Sequence, residues 1–264
     1  MKKATEKHPI LSSIIFLLVS MGLVFLLLYP LSFVLPIYWY KTIKYGVSLI
    51  VTIAVMYLIY GKFSFSLKSP LFFKNLFTFG LLGFIGALGA LFFSYQTIET
   101  LPSLSFFFAF LLSTLFIALS EEFLFRGLIL GVLVRGMEDK GKRGIFYAVF
   151  IASTIFGIRH LLEFFDSPQM YIMVFTQVIF TFMAGVYLSA LYLRTKNIWV
   201  CVTIHFLEDF FSSFWLLFAS TNTVEDISLL NALLLIVLQV PYFIFGILFI
   251  KDKKWTYSQE LFAL

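Results

Sequence analysis

Eight apolar runs dominate the sequence, bounded by charged or turn residues and falling at 10–34, 45–60, 76–95, 104–134, 144–163, 171–193, 198–219 and 228–250. A helix rises about 1.5 Å per residue and needs ~20 apolar residues to cross a hydrocarbon core. No water reaches the backbone there, so every N–H and C=O must pair inside the segment, and helices meet that demand. The runs predict an all-α, polytopic transmembrane helical bundle of about eight spans, one integral membrane domain over residues 1–264. Charged residues are 12% of the chain and hydrophobic ones 61%; a soluble domain carries about 25% charge, so a soluble globular protein is excluded. The first partner of such a chain is membrane lipid.

The basic residues are distributed with a clear bias. Counted connector by connector, Lys and Arg number three (Lys2, Lys3, Lys7), two (Lys41, Lys44), three (Lys62, Lys68, Lys74), none, four (Arg135, Lys140, Lys142, Arg143), none, two (Arg194, Lys196), none and three (Lys251, Lys253, Lys254). Alternate connectors therefore hold 15 against 2, which predicts an even number of spans with both termini in the cytoplasm. Glu99, Asp166, Glu225 and Asp226 fall on the opposite side. The same bias accounts for the net charge of +5, so no nucleic-acid partner is expected. The first run exceeds the 7–15 residues of a signal-peptide core and lacks an A-x-A cleavage site, which predicts a retained span. Cys201 is alone and reads as a small packing residue. Gly80, Gly83, Gly86 and Gly89 recur every third residue in the third run, a stripe suited to close helix packing.

Two basic residues, Arg126 and Arg159, lie inside apolar runs, in the company of Glu121, Glu122, His160, His205, Glu208 and Asp209. A charge at the centre of a spanning helix costs at least roughly 2.5–3.5 kcal/mol. Structural ion pairs or snorkelling are the bland account, weightiest for Arg159 and Glu208. Glu121, Glu122, His160 and His205 have spacings that can converge on a site. In S-E-E-F-L-F-R-G (residues 120–127) Glu122 and Arg126 share a helix face and can pair, while Glu121 projects about 100° away. That leaves Glu121 as an unpaired carboxylate suited to general-base work. F-G-I-R-H (156–160) ends in His160, and I-H-F-L-E-D (204–209) puts His205 and Asp209 four apart. Two imidazoles and a carboxylate on three helices suffice for amide hydrolysis. No H-E-x-x-H zinc helix or G-x-S-x-G elbow is present, and Asp209, the sole deep aspartate, cannot form an aspartate pair.

At these residues the chain resembles the CPBP family, the CAAX-protease and bacteriocin-processing group of membrane proteins related to type II CAAX prenyl endopeptidases. The family pattern E-E-x-x-x-R, F-x-x-x-H and H-x-x-x-N/D stands here as Glu121, Glu122 and Arg126, then Phe156 and His160, then His205 and Asp209. The run over 185–205 resembles the helix, short turn and helix bearing the family's last histidine, and the family core covers 104–219. The resemblance implies an intramembrane glutamic endopeptidase acting on a membrane-associated peptide or protein. In it Glu121 and His160 would activate water, His205 and position 209 would stabilise the oxyanion, and Glu122 and Arg126 would hold the helix and its electrostatics. An ionised Asp209 only accepts hydrogen bonds, so it either acts protonated or orients and charges His205. No cofactor is expected; a divalent metal is the alternative to metal-free glutamate catalysis. The short loops resemble the bacterial branch, with roles in bacteriocin self-immunity or peptide maturation, location in the bacterial cell membrane and a possible membrane-protein partner. The rival functions are a non-catalytic scaffold or immunity protein and a proton-coupled transporter. One spacing stands out: His205 is about seven residues (~10 Å) into its run and His160 about sixteen (~24 Å), so a meeting requires the fifth helix to start well outside the bilayer or its boundary to differ.

Overall fold

The computed structural model describes residues 2–61, 71–93, 101–165, 169–218 and 226–252. Among these there are helices and no strand. In chain order the helices are α1 (Lys2–Lys7), α2 (Pro9–Phe33), α3 (Ile37–Tyr60), α4 (Phe72–Thr78), α5 (Leu81–Phe93) and α6 (Leu104–Gly136). They continue with α7 (Gly141–Arg159) and a 3-10 turn over His160–Phe164, α8 (Tyr171–Thr195), α9 (Ile198–Ser212) and α10 (Leu229–Asp252).

Six helical stretches are long and apolar enough to cross a membrane, and α4 with α5 make a seventh as a pair bent by 69°. The protein is an integral, multi-pass membrane protein. Two of the eight expected spans differ. The run at 76–95 is this bent pair, and the run at 198–219 forms the 15-residue α9 followed by a 3-10 turn over Phe214–Leu217. The connector residues Lys62, Lys68, Glu99, Asp166, Glu225, Lys253 and Lys254 lie outside the described residues. Lys41 and Lys44, read as connector residues, are inside α3, which starts at Ile37. The Lys44 ammonium is buried over the rings of Phe25, Tyr40 and Tyr45, an electrostatic setting in which aromatic faces solvate a cation.

The bundle packs most extensively through α8 against α10 and α7, α3 against α6, and α9 against α5 and α6. Small residues set the tightest approaches. A Cβ on Gly157 would sit 2.7 Å from the Val178 carbonyl oxygen of α8, so α7 and α8 touch backbone to backbone beside the site. The glycine stripe of α5 is confirmed as packing at Gly83, where a Cβ would clash with Ile204 of α9, and at Gly86, where it would clash with the Tyr242 hydroxyl of α10; Gly89 faces open space.

Two spans contain π-helical turns, at Leu18–Leu23 and Phe123–Ile129. Such turns disturb the i→i−4 ladder and free carbonyls, and in a dry interior each freed carbonyl needs a donor. Ser48 donates to the Ser20 carbonyl at 2.6 Å, and Tyr60 donates to the Leu128 carbonyl at 3.1 Å. The bend between α4 and α5 is held in the same way: the Tyr187 hydroxyl donates to the Phe79 carbonyl (2.9 Å) and accepts from the Gly83 N–H (3.3 Å). Between α8 and α9, Lys196 is left-handed (φ 54°) and the Asn197 side chain accepts from the Trp199 N–H at 3.0 Å, capping α9. This is the helix, short turn and helix expected over 185–205.

Candidate active site

The site is assembled from α6, α7 with its 3-10 turn, and α9. Glu121 and Glu122 end the α-helical part of α6, and the π turn over Phe123–Ile129 follows at once. Glu122 Oε1 accepts from Arg126 Nη1 at 2.7 Å and from His205 Nδ1 at 2.7 Å. Arg126 and Glu122 are both fully buried, and their expected pairing along one helix face is present. The Arg126 guanidinium also lies over the Phe156 ring, 4.7 Å from its centroid, a cation–π contact that offsets part of its desolvation.

Glu121 differs from expectation. The unpaired carboxylate read from the sequence is instead ion-paired through Oε1 with Arg159 Nη2, because α7 delivers a second guanidinium that helical spacing within α6 cannot reveal. Glu121 Oε2 lies 3.8 Å from His205 Nε2, and Asp209 Oδ2 lies 3.5 Å from the same nitrogen. His205 is therefore ringed by three carboxylates, with Nδ1 committed to Glu122 and Nε2 facing Glu121 and Asp209.

His160 occupies the step where α7 passes into the 3-10 turn. Its Nδ1 lies 2.9 Å from the Phe156 carbonyl and 3.4 Å from the Thr181 hydroxyl. A carbonyl only accepts, so Nδ1 carries the proton and Nε2 has a free lone pair. Phe156 stands edge-on to both imidazoles, with centroids 5.1 Å from His160 and 6.1 Å from His205. The aromatic residue of the F-x-x-x-H pattern thus packs against both histidines and Arg126.

The expected site residues Glu121, Glu122, Arg126, His205 and Asp209 form one connected polar network, and His160 joins it through Phe156. Arg159, Glu163 and Thr181 were missed as neighbours. Arg159 was visible as a charge in an apolar run; Glu163 was hidden by its position at the end of that run, and Thr181 by its small polarity within α8. Glu208, next to Asp209 on α9, accepts a hydrogen bond from Tyr242 of α10. α7 begins at Gly141, 19 residues before His160, and α9 begins at Ile198, seven residues before His205. α1 and α2 pack along the C-terminal part of α6.

Among the described residues no group of three or more His, Cys, Asp and Glu side chains is arranged to hold a metal ion. One oxygen of Glu121 and one of Glu122 each face a guanidinium.

Residues 103–211 match the family model for type II CAAX prenyl endopeptidase Rce1-like proteins. The match ends before residue 219, spans α6 to α9 and contains the whole polar network. It is consistent with the CPBP family and supports a membrane protease of CAAX type. No curated protein and no solved structure matches the chain.

Proposed function

We propose that the protein is an intramembrane endopeptidase that hydrolyses a peptide bond of a membrane-associated peptide or protein with a water molecule activated by Glu121 and His160. The observation that carries this reading is the convergence of Glu121, Glu122, Arg126, His205 and Asp209 on one network, with Phe156 packed against His160 and His205.

In this reading His160 Nε2 takes a proton from water as its oxygen attacks the scissile carbonyl carbon, and Glu121 Oε2 orients the water's other hydrogen. His205, its Nδ1–H held by Glu122, donates from protonated Nε2 to the oxyanion, and Asp209 orients and charges that imidazole. The proton then passes from His160 to the leaving amine as the C–N bond breaks. Glu122 and Arg126 fix the ring of His205 and keep the cluster close to neutral, which a low-dielectric interior demands. In this reading no metal takes part. Purified protein in proteoliposomes should cleave an internally quenched peptide ending in a prenylated C-a-a-X box and lose turnover in Glu121→Ala and His160→Ala, with EDTA having no effect. Wild-type turnover in both variants overturns the reading.

The bacterial cell membrane as location, and bacteriocin self-immunity or peptide maturation as cellular role, belong to this proposal. In a bacterial immunity assay Glu121→Gln should abolish protection; full protection by that variant would favour a scaffold that acts by binding.

A further inference from the structure

We propose that Arg159 is the positioning residue of the site: it supplies the counter-charge of Glu121 and fixes which carboxylate oxygen faces the reactants. This rests on the peptidase reading above. Glu121 and Glu122 are neighbours in sequence, both buried, and project about 100° apart on α6. One guanidinium cannot serve both. Arg126, from the same helix, takes Glu122, and Arg159, from α7, takes Oε1 of Glu121. With Oε1 engaged, Oε2 is the oxygen left toward His205, 3.8 Å from its Nε2.

Arg159 is also the residue immediately before His160, at the boundary where α7 tightens into a 3-10 turn. Both side chains are buried. A single backbone step therefore presents the histidine and the cation that holds Glu121, so the two water-activating groups are registered to each other through Arg159. The far side of the guanidinium is steadied in turn. Arg159 Nη1 lies 3.6 Å from Glu163 Oε1, and Gln177 Nε2 of α8 donates to that same oxygen at 3.3 Å. The chain Gln177, Glu163, Arg159, Glu121 thus ties α8, α7 and α6 together at the site. A bidentate-capable guanidinium suits this work because it sets an angle as well as a charge.

The test uses the full-length protein in proteoliposomes, the prenylated C-a-a-X peptide as probe, and Arg159→Gln, Arg159→Lys, Glu121→Gln and the Glu121→Gln/Arg159→Gln double variant. The expected result is a kcat lowered about 100-fold in Arg159→Gln, with KM within about twofold. Arg159→Lys, which retains the charge, should recover at least about tenfold of that loss. The double variant should be no slower than Glu121→Gln alone, because both changes act through one carboxylate. Wild-type kcat in Arg159→Gln, in a protein that Glu121→Gln inactivates, overturns the role of Arg159 and leaves the peptidase reading standing. So does a loss that Arg159→Lys does not relieve and that a fall in melting temperature accompanies, since that is mere structural damage. Wild-type turnover in Glu121→Gln overturns the peptidase reading itself. Non-additive melting temperatures of the two single variants and the double report the Glu121–Arg159 pair whether or not turnover is seen.

Discussion

The fifth apolar run and the last are both membrane-spanning helices by length, yet they meet different surroundings. Half of the apolar window within Glu138–Phe164 is buried inside the protein, against 17% of that within Leu229–Lys251. α10 shows Leu229, Leu230, Leu233 and Val237 largely exposed, a surface that hydrocarbon covers at no cost. α7 turns Ser153, Arg159 and His160 inward, where each polar atom needs a protein partner. In lipid the apolar effect does not distinguish inside from outside, so packing and polar pairing do. The polar interior is where chemistry is affordable and where substitutions are felt.

The comparison can be broken in several ways. The largest effect belongs to the site. Glu121→Ala and His160→Ala should each lower turnover by more than about 10³-fold, and Asp209→Asn or His205→Ala by ~10²–10³-fold, in the peptide assay above. A near-normal rate in Asp209→Asn would mean that position 209 acts as a hydrogen-bond donor, the protonated alternative to charging His205. Next is stability. Arg126→Met leaves Glu122 buried beside His205 alone, and losing one partner of a buried pair costs about 3–5 kcal/mol, which thermal unfolding in detergent should register as a large fall in melting temperature. A fall no greater than that of an α10 variant would erase the contrast between the two regions.

Smaller effects refine it. Tyr187→Phe removes the donor to the Phe79 carbonyl at the α4–α5 bend, a loss of about 1–3 kcal/mol where the carbonyl stays buried and unpaired. Outside the spans, Asp226 accepts from the N–H groups of Ile172, Met173 and Ile227. Desolvation acts to raise its pKa, but these three hydrogen bonds prevail and hold it below the usual carboxylate value. Its contribution is therefore fully present above the ordinary carboxylate pKa of about 3.9 and disappears as pH falls through the lowered value. Amide exchange at Ile172 and Met173 should quicken there, and Asp226→Asn should remove that pH step. Smallest of all, Leu230→Val on the exposed face of α10 should change stability by less than about 0.5 kcal/mol.

Much of this was legible from residue order. The Glu122–Arg126 pair follows from i,i+4 spacing, and the helix, turn and helix of α8 and α9 from the family resemblance over 185–205. Arg126 and Arg159 announced themselves as charges where charge is expensive. Other features were hidden because their partners lie far along the chain. Glu121 reads as unpaired until α7 brings Arg159 to it across 38 residues, and Phe156 stands in the F-x-x-x-H motif with no sign in residue order that both histidines lie against its ring. Lys44 passed for a connector residue because its aromatic neighbours are spread over α2 and α3. The break of the 198–219 run into α9 and a 3-10 turn was hidden because hydropathy does not show where a helix stops.

Residue order alone determined that this chain enters a membrane as helices, since long apolar runs have no other way to satisfy their backbone there, and it marked which few charged side chains would have to be buried. Which guanidinium meets which carboxylate and which histidine nitrogen stays free were decided only when the helices packed. Those relations depend on helix crossings, π turns and close glycine contacts, which set distances of a few ångströms that no spacing along one helix encodes.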